Sequence, residues 1–291
     1  MNIKKSGKDL IVNDIKDFDL AQTMECGQCF HFVRLDEEEY ELTAYGRYLH
    51  IKQEKNILTF FDTTKKDFEN IWRHYFDLDT DYGKIKRYIA KRSPELKEII
   101  KKNKGIRILN QEFFETLMSF IISQNNRIPR IKALVAAISE KWGRKLTDTM
   151  YAFPDASGLS KVCEDDFREL KTGFRAAYLC DAVKKVLSKD IDEHLLTSAD
   201  LKDCEEKLCA IKGIGPKVAN CIMLFSLGKR EAFPIDVWMK RIMEELYFGG
   251  KEQSLNTIAY LAADRFGEYG GYAQQYLFAY AREAGDSENK G

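Results

Sequence analysis

The stretch Ile211-Lys-Gly-Ile-Gly-Pro-Lys-Val-Ala-Asn-Cys221 reads as a glycine hairpin between two helices. The first helix is expected over 201–210, with Asp200 as its N-cap, because aspartate accepts from the unpaired N–H groups of a first turn. Gly213 and Gly215 let the backbone turn sharply and approach a ligand with no Cβ in the way. Pro216 suits the first position of the next helix, where no N–H is needed. The free N–H groups at that helix start form an anion site suited to a phosphate, and Lys217 stands beside it. Taken alone, such a hairpin describes many proteins that grip DNA without altering it, with the lysine serving only as a phosphate ligand.

The segment that follows, Phe233-Pro-Ile-Asp-Val-Trp-Met239, changes the weighing. Asp236 sits among apolar neighbours, which carboxylates avoid unless they are paired or functional. It is also placed to N-cap a helix beginning near Val237, and capping is compatible with catalysis. Lysine, hairpin and aspartate in this order resemble the helix-hairpin-helix superfamily of DNA base-excision glycosylases, whose Gly/Pro-rich loop is followed by Asp. The branch carrying both residues is bifunctional. The resemblance therefore implies Lys217 as the amine nucleophile and Asp236 as the essential carboxylate.

At 291 residues the chain can bury a sizeable core, and 44% hydrophobic with 32% charged residues is an ordinary soluble balance. No run approaches the ~18 apolar residues a membrane helix needs. The first residues, Met-Asn-Ile-Lys-Lys-Ser-Gly, lack an apolar signal core, so a cytoplasmic location is expected, or a nuclear one in a eukaryote. Seven scattered cysteines fit reduced thiols better than a disulfide framework, and Cys26-x-x-Cys29 has no partner pair for zinc. The tail after Gln274 contains no cysteine, so the four-cysteine iron–sulfur cluster of some superfamily members is not expected here.

The net charge is zero, yet it is unevenly spread. Residues 31–82 carry 7 basic and 12 acidic side chains, whereas residues 83–107 carry 10 basic and 2 acidic. Such a middle segment can supply a basic face to a polyanion, and it equally describes a solvated lysine-rich helix.

Short segments at 9–12, 29–35, 40–45, 47–53 and 57–61 carry the β-branched and aromatic residues of strands, with turn residues between them. From about Asp67 the apolar period becomes helical. Asn110 is expected to cap a helix bearing Phe113, Phe114, Leu117, Phe120 and Ile121, and Pro129 to open another that ends at Gly143. Further helices are expected at 165–171, 175–188, 216–227, 237–247, 254–265 and 271–283, with a polar tail over 286–291. The fold class is α+β: an antiparallel sheet domain (1–107) followed by a helical domain (108–291), with the helix-hairpin-helix at about 201–227.

Strands followed by helices is the order shown by the 8-oxoguanine DNA glycosylase branch, and four further stretches resemble that branch. Glu25-Cys-Gly-Gln-Cys-Phe-His-Phe32 is similar to its Gly-Gln-x-Phe motif, which implies that the Gly27 carbonyl accepts from N7–H of the oxidised base. Guanine has a bare acceptor at N7, so a carbonyl there attracts the lesion and repels the undamaged base. Ser123-Gln-Asn-Asn-Arg-Ile-Pro-Arg-Ile131 implies that Asn125 fills the space left by the extruded nucleotide and that Arg130 donates to the cytosine left behind. In Gly173-Phe-Arg175, Arg175 matches a second arginine reading that cytosine, and Phe174 stands where an aromatic wedges into the stack.

On the final helix, Gln274 and Phe278 share one face, an amide and an aromatic suited to bond and stack a base. Cys221 matches the residue on the opposite face of the base, and Phe225 is expected to complete that wall. Gly213, Gly215, Val218 and Trp238 are carried over as DNA contacts, although Trp238 stands where animal members commonly have histidine. The resemblance implies a bifunctional enzyme that excises 8-oxoguanine, preferentially opposite cytosine, from double-stranded DNA, with β-elimination at the abasic site. It is expected to act as a monomer with no membrane partner and no metal or organic cofactor, a structural cation at the hairpin being compatible. The rival readings are a broader glycosylase for oxidised or alkylated bases and a non-catalytic DNA-binding module.

Overall fold

The computed structural model describes the chain through residue 288, with side chains through residue 281. Six strands form one antiparallel sheet in the order β1-β2-β6-β5-β4-β3. They are β1 Asn2–Ser6, β2 Asp9–Asn13, β3 Phe32–Asp36, β4 Glu39–Ala44, β5 Arg47–Glu54 and β6 Ile57–Phe61. Alternation explains them: in β5, Leu49, Ile51 and Gln53 are buried between half-exposed Tyr48, His50 and Lys52. The inner face packs on the helical segment after β6, where Phe60 meets Phe68 edge-on at 5.1 Å.

The expected strand at 29–35 begins only at Phe32, because residues 26–31 form an irregular loop. Strand β1 escapes the sequence pattern: nearly all of its side chains are exposed, so no apolar alternation marks it. Two short helices, Leu20–Glu25 and Glu193–Ser198, also escape it, their clearest markers being the capping carboxylates of Asp19 and Asp192.

The remaining helices share one core, and Phe113–Ser123 runs through its middle, buried on nearly every side. Asn110 does not cap that helix; Glu112 occupies the N-cap position. Asn110 is drawn away instead, its amide donating to the His74 carbonyl at 2.7 Å and accepting from Arg230. The last helix, Gly270–Glu288, continues through Asp286–Glu288, where a tail was expected, and positions 289–291 lie outside the described residues.

Packing cuts the chain differently from the division at 107. Tyr82, Ile85, Ile89, Leu96, Ile99 and Ile100 bury their side chains in the helical core, while Leu109 belongs to the sheet core. The basic segment is also partly committed to tertiary ties. Lys86 bonds Asp17, Arg92 donates to the carbonyls of Asp264 and Arg265, and Arg107 is buried, donating to the carbonyls of Asp77, Thr80 and Lys16.

The loop at 26–31 lies on the seam between the cores. Cys26 and Phe30 face the helical core, whereas Cys29 and Phe32 face the sheet core. Gln28, fully buried between them, donates to the carbonyls of Thr23 and Arg107, each at 2.8 Å, and accepts from Leu109 N at 2.9 Å. Losing a partner from such a buried amide costs about 1–3 kcal/mol. The loop carrying Gly27 is thus anchored by its own next residue.

Candidate active site

The hairpin is built as its residues demand. Asp200 accepts from Asp203 N at 2.8 Å and starts the helix Leu201–Cys209. Gly213 turns the chain at φ +80°, and a Cβ there would lie 2.2 Å from the Tyr178 ring. Gly215 is the N-cap of the helix Pro216–Ser226, its Cα side facing open space. Lys217 is therefore in the first turn of that helix, and Cys221 and Phe225 follow on the same face.

Asp236 N-caps the helix Val237–Phe248, its Oδ1 accepting from Met239 N at 2.7 Å. This cap fixes the direction of the carboxylate. Lys217 and Asp236 open onto one cavity of about 580 Å³, together with Gly27, Phe120, Trp238 and Phe278. Gly27 has φ +89°, a backbone shape that suits glycine and that the buried Gln28 holds in place. Trp238 is 48% exposed at the rim, with Arg241 over its ring at 5.4 Å.

Three of the expected base contacts, Cys221, Phe225 and Gln274, lie deeper than the sequence implies. Cys221 is buried beneath Lys217; burial pushes its thiol pKa up, the Lys217 ammonium within hydrogen-bonding reach opposes this, and Asp236 adds to the rise. Phe225 does not form the cavity wall. Two helical turns from Lys217, its ring points into the packing against Phe113–Ser123 and stacks on Phe120 at 5.5 Å, the planes 10° apart. Phe120 takes its place, with Lys217 Nζ 5.8 Å from its ring centre. In the sequence Phe120 reads only as one of several apolar residues on a helix, so no local signal marks it. Val218 is likewise buried, which leaves its backbone N–H as what it can offer DNA. Gln274 is buried, outside the set of residues that line the cavity, and donates to the Pro234 carbonyl at 3.2 Å.

A second cavity, about 440 Å³, is lined by Asn125, Arg130 and Arg175 with Asn126 and Arg127. Asn125 has φ +48°, in the left-handed region that asparagine tolerates better than most residues. Arg175 is buried and stacks on Phe174 at 4.5 Å. Its guanidinium donates to the carbonyls of Gln124 (2.9 Å from Nε), Thr172 (3.2 Å) and Asn125 (2.9 Å), so it holds the Gln124–Asn125 turn. Burial lowers its pKa, and the positive charge of Arg130 lowers it further. Arg130 is exposed and donates to the Lys171 carbonyl at 2.7 Å. Phe174, 53% exposed, projects beside this cavity.

Residues 10–117 match the 8-oxoguanine DNA glycosylase N-terminal domain, and residues 118–264 match the HhH-GPD superfamily base excision DNA repair protein. Among solved structures, MBOgg1 in complex with a low-affinity DNA ligand is 42% identical, covering 98% of this chain and 99% of that one with a TM-score of 0.94. The Clostridium acetobutylicum 8-oxoguanine glycosylase/lyase, bound to double-stranded DNA with cytosine opposite 8-oxoguanine, is 40% identical. It covers the same shares, 98% and 99%, at a TM-score of 0.93. A probable N-glycosylase/DNA lyase of Methanothermobacter thermautotrophicus is 27% identical across 93% of this chain and 96% of its own length.

Proposed function

The chain belongs to the HhH-GPD superfamily of base excision DNA repair proteins, in its 8-oxoguanine DNA glycosylase branch, and from that premise we propose how its residues divide the work. It is a DNA N-glycosylase with lyase activity, excising 8-oxoguanine from double-stranded DNA. Lys217, as the neutral amine, attacks C1′ of the extruded nucleotide while the bond to the base breaks and the base leaves with the electron pair. Asp236 stabilises the positive charge that develops on the sugar. The amine loses a proton, O4′ takes one up as the sugar ring opens, and a Schiff base forms on Lys217; β-elimination then removes a C2′ proton and breaks the C3′–O bond, the strand on the 3′ side leaving with its 5′-phosphate. The observation that carries this assignment is the shared cavity: Lys217, Asp236, Gly27 and Phe278 reach it from four separate parts of the chain.

Gly27 and Gln274 read the base, with Phe278 stacking on one face and Cys221 backing the other. Asn125 and Phe174 manage the vacated space, Arg130 meets the cytosine opposite, Arg175 holds the turn that carries Asn125 beside it, and the hairpin N–H groups with Gly213, Gly215, Val218 and Trp238 meet the backbone. The amine and the carboxylate suffice for this chemistry, which needs no metal or organic cofactor, and one chain carries the whole site, so it acts as a monomer on the cell's DNA. A structural cation at the hairpin remains compatible with DNA binding.

Borohydride trapping on 8-oxoguanine duplexes tests the assignment. Lys217→Gln is expected to abolish base release and trapping while lesion binding persists, because glutamine has no nucleophilic amine. Base release by Lys217→Gln at a near wild-type rate would show that another residue attacks. A panel of other oxidised and alkylated bases tests the broader-specificity reading.

A further inference from the structure

We propose that Gln275 is a positioning residue for base recognition: it fixes which end of the Gln274 side-chain amide faces the extruded base, and so sets the preference for a guanine-type edge. This rests on the reading of Gln274 as a base contact given above.

The orientation of Gln274 follows from what its neighbours can do. The Pro234 carbonyl can only accept, so Gln274 turns Nε2 toward it, at 3.2 Å. Its Oε1 then meets Gln275, whose Nε2 donates at 2.8 Å. The Oε1 of Gln275 lies 3.5 Å from Cys26 Sγ, a thiol that also stands 3.3 Å from the Thr23 carbonyl. These side chains are buried: Cys26 5%, Gln274 5% and Gln275 3% exposed. One hydrogen-bonded chain thus joins the loop of Gly27, the last helix and the segment leading to Asp236.

These bonds leave Gln274 one N–H and one lone pair on Oε1. Side by side, a donor and an acceptor match the Watson–Crick edge of 8-oxoguanine, which presents O6 as acceptor and N1–H as donor. An adenine-type edge presents the two in reversed order. Flipping the Gln274 amide would reverse its own order to match. Whatever prevents the flip therefore holds the discrimination. Pro234 and Gln275 are the two groups that prevent it, and Gln275 is the one a substitution can change.

Gln275→Met keeps the length of the side chain and removes the amide, and Gln275→Leu removes the amide in a second apolar shape, so that neither can donate to Gln274. Three readouts separate the roles: single-turnover release of 8-oxoguanine, release of 8-oxoadenine, and borohydride trapping on a pre-formed abasic site. The abasic site has no base to orient and still needs Lys217 and the DNA-binding surface. For both variants, 8-oxoguanine release is expected to fall about tenfold, roughly one well-aligned hydrogen bond. The ratio of 8-oxoguanine to 8-oxoadenine release should narrow, and trapping on the abasic site should stay at the wild-type level. If Gln275→Met fails to fold, as judged by melting, Gln275→Leu decides.

Unchanged 8-oxoguanine release in a folded variant overturns the proposal. A drop in abasic-site trapping by the same factor as base release also overturns it, because Gln275 would then merely support the fold. Wild-type protein that neither releases 8-oxoguanine nor is trapped overturns the proposed function itself, a result the variants alone cannot give.

Discussion

Arg130 and Arg175 line one cavity, but their surroundings assign them different work. Arg175 is 7% exposed and spends its donors on the carbonyls of Gln124, Asn125 and Thr172. Arg130 is exposed and makes one bond, to the Lys171 carbonyl at 2.7 Å, which a cytosine can replace at little cost. Arg130→Ala is therefore expected to relax the preference for cytosine by roughly 1–3 kcal/mol of discrimination, with a smaller loss of overall rate. Arg175→Ala should instead slow cleavage opposite every base, because it frees the turn that holds Asn125 at φ +48°. Cleavage of 8-oxoguanine duplexes with each of the four opposite bases distinguishes them. A uniform drop for Arg130→Ala would reduce it to a phosphate contact. The family resemblance is enough to single out both arginines from the sequence. The clamp made by Arg175 is not legible there, since its partners are backbone carbonyls, which any residue could supply.

The hairpin shows the same limit at the level of elements. Its turn, the proline in the first helical turn and the carboxylate caps at Asp200 and Asp236 all follow from residue type. What the sequence does not reveal is which distant side chain each element meets. Gly213 is held by Tyr178 on the helix Arg175–Leu187, and a Cβ would sit 2.2 Å from that ring with φ at +80°. Gly213→Ala should therefore push the hairpin off its support and cost about 1–3 kcal/mol of stability, seen as a lower melting temperature. Gly215 has nothing within 4 Å of its Cβ direction, so Gly215→Ala should melt near the wild type and lose affinity only for DNA. Equal melting losses for the two variants would refute a separate DNA-facing role for Gly215. Phe225 illustrates the same limit: the helical period puts it on the face of Lys217, and only the packing shows it to lie under Phe120.

At the scale of the whole molecule, the order of strands and helices is legible because their apolar periods differ. The seam between the two cores is not, because an amphipathic helix does not announce which core it will meet. Residues 82–102 belong by sequence position to the sheet and by packing to the helices. On that seam His31 Nδ1 lies 3.0 Å from Glu115 Oε1 and 2.7 Å from Thr43 Oγ1, and Glu112 lines the same small cavity. Burial first, then the charges of Glu115 and Glu193, pushes the Glu112 carboxyl up to about 7 from an ordinary 4.5. The folded state therefore holds this proton more tightly than the unfolded chain does. Its contribution favours folding below about pH 4.5 and is lost progressively as pH rises to about 7, beyond which the buried charge is a constant penalty. Glu112→Gln removes that penalty and should stabilise the protein above pH 7 by on the order of 1 kcal/mol, after discounting for partial exposure. The gain should shrink as pH falls and vanish near pH 4.5, the ordinary carboxyl value. Denaturant unfolding of both proteins across this range measures the difference directly. Parallel stability curves would mean that Glu112 is already well solvated and that the seam carries no titrating charge of its own.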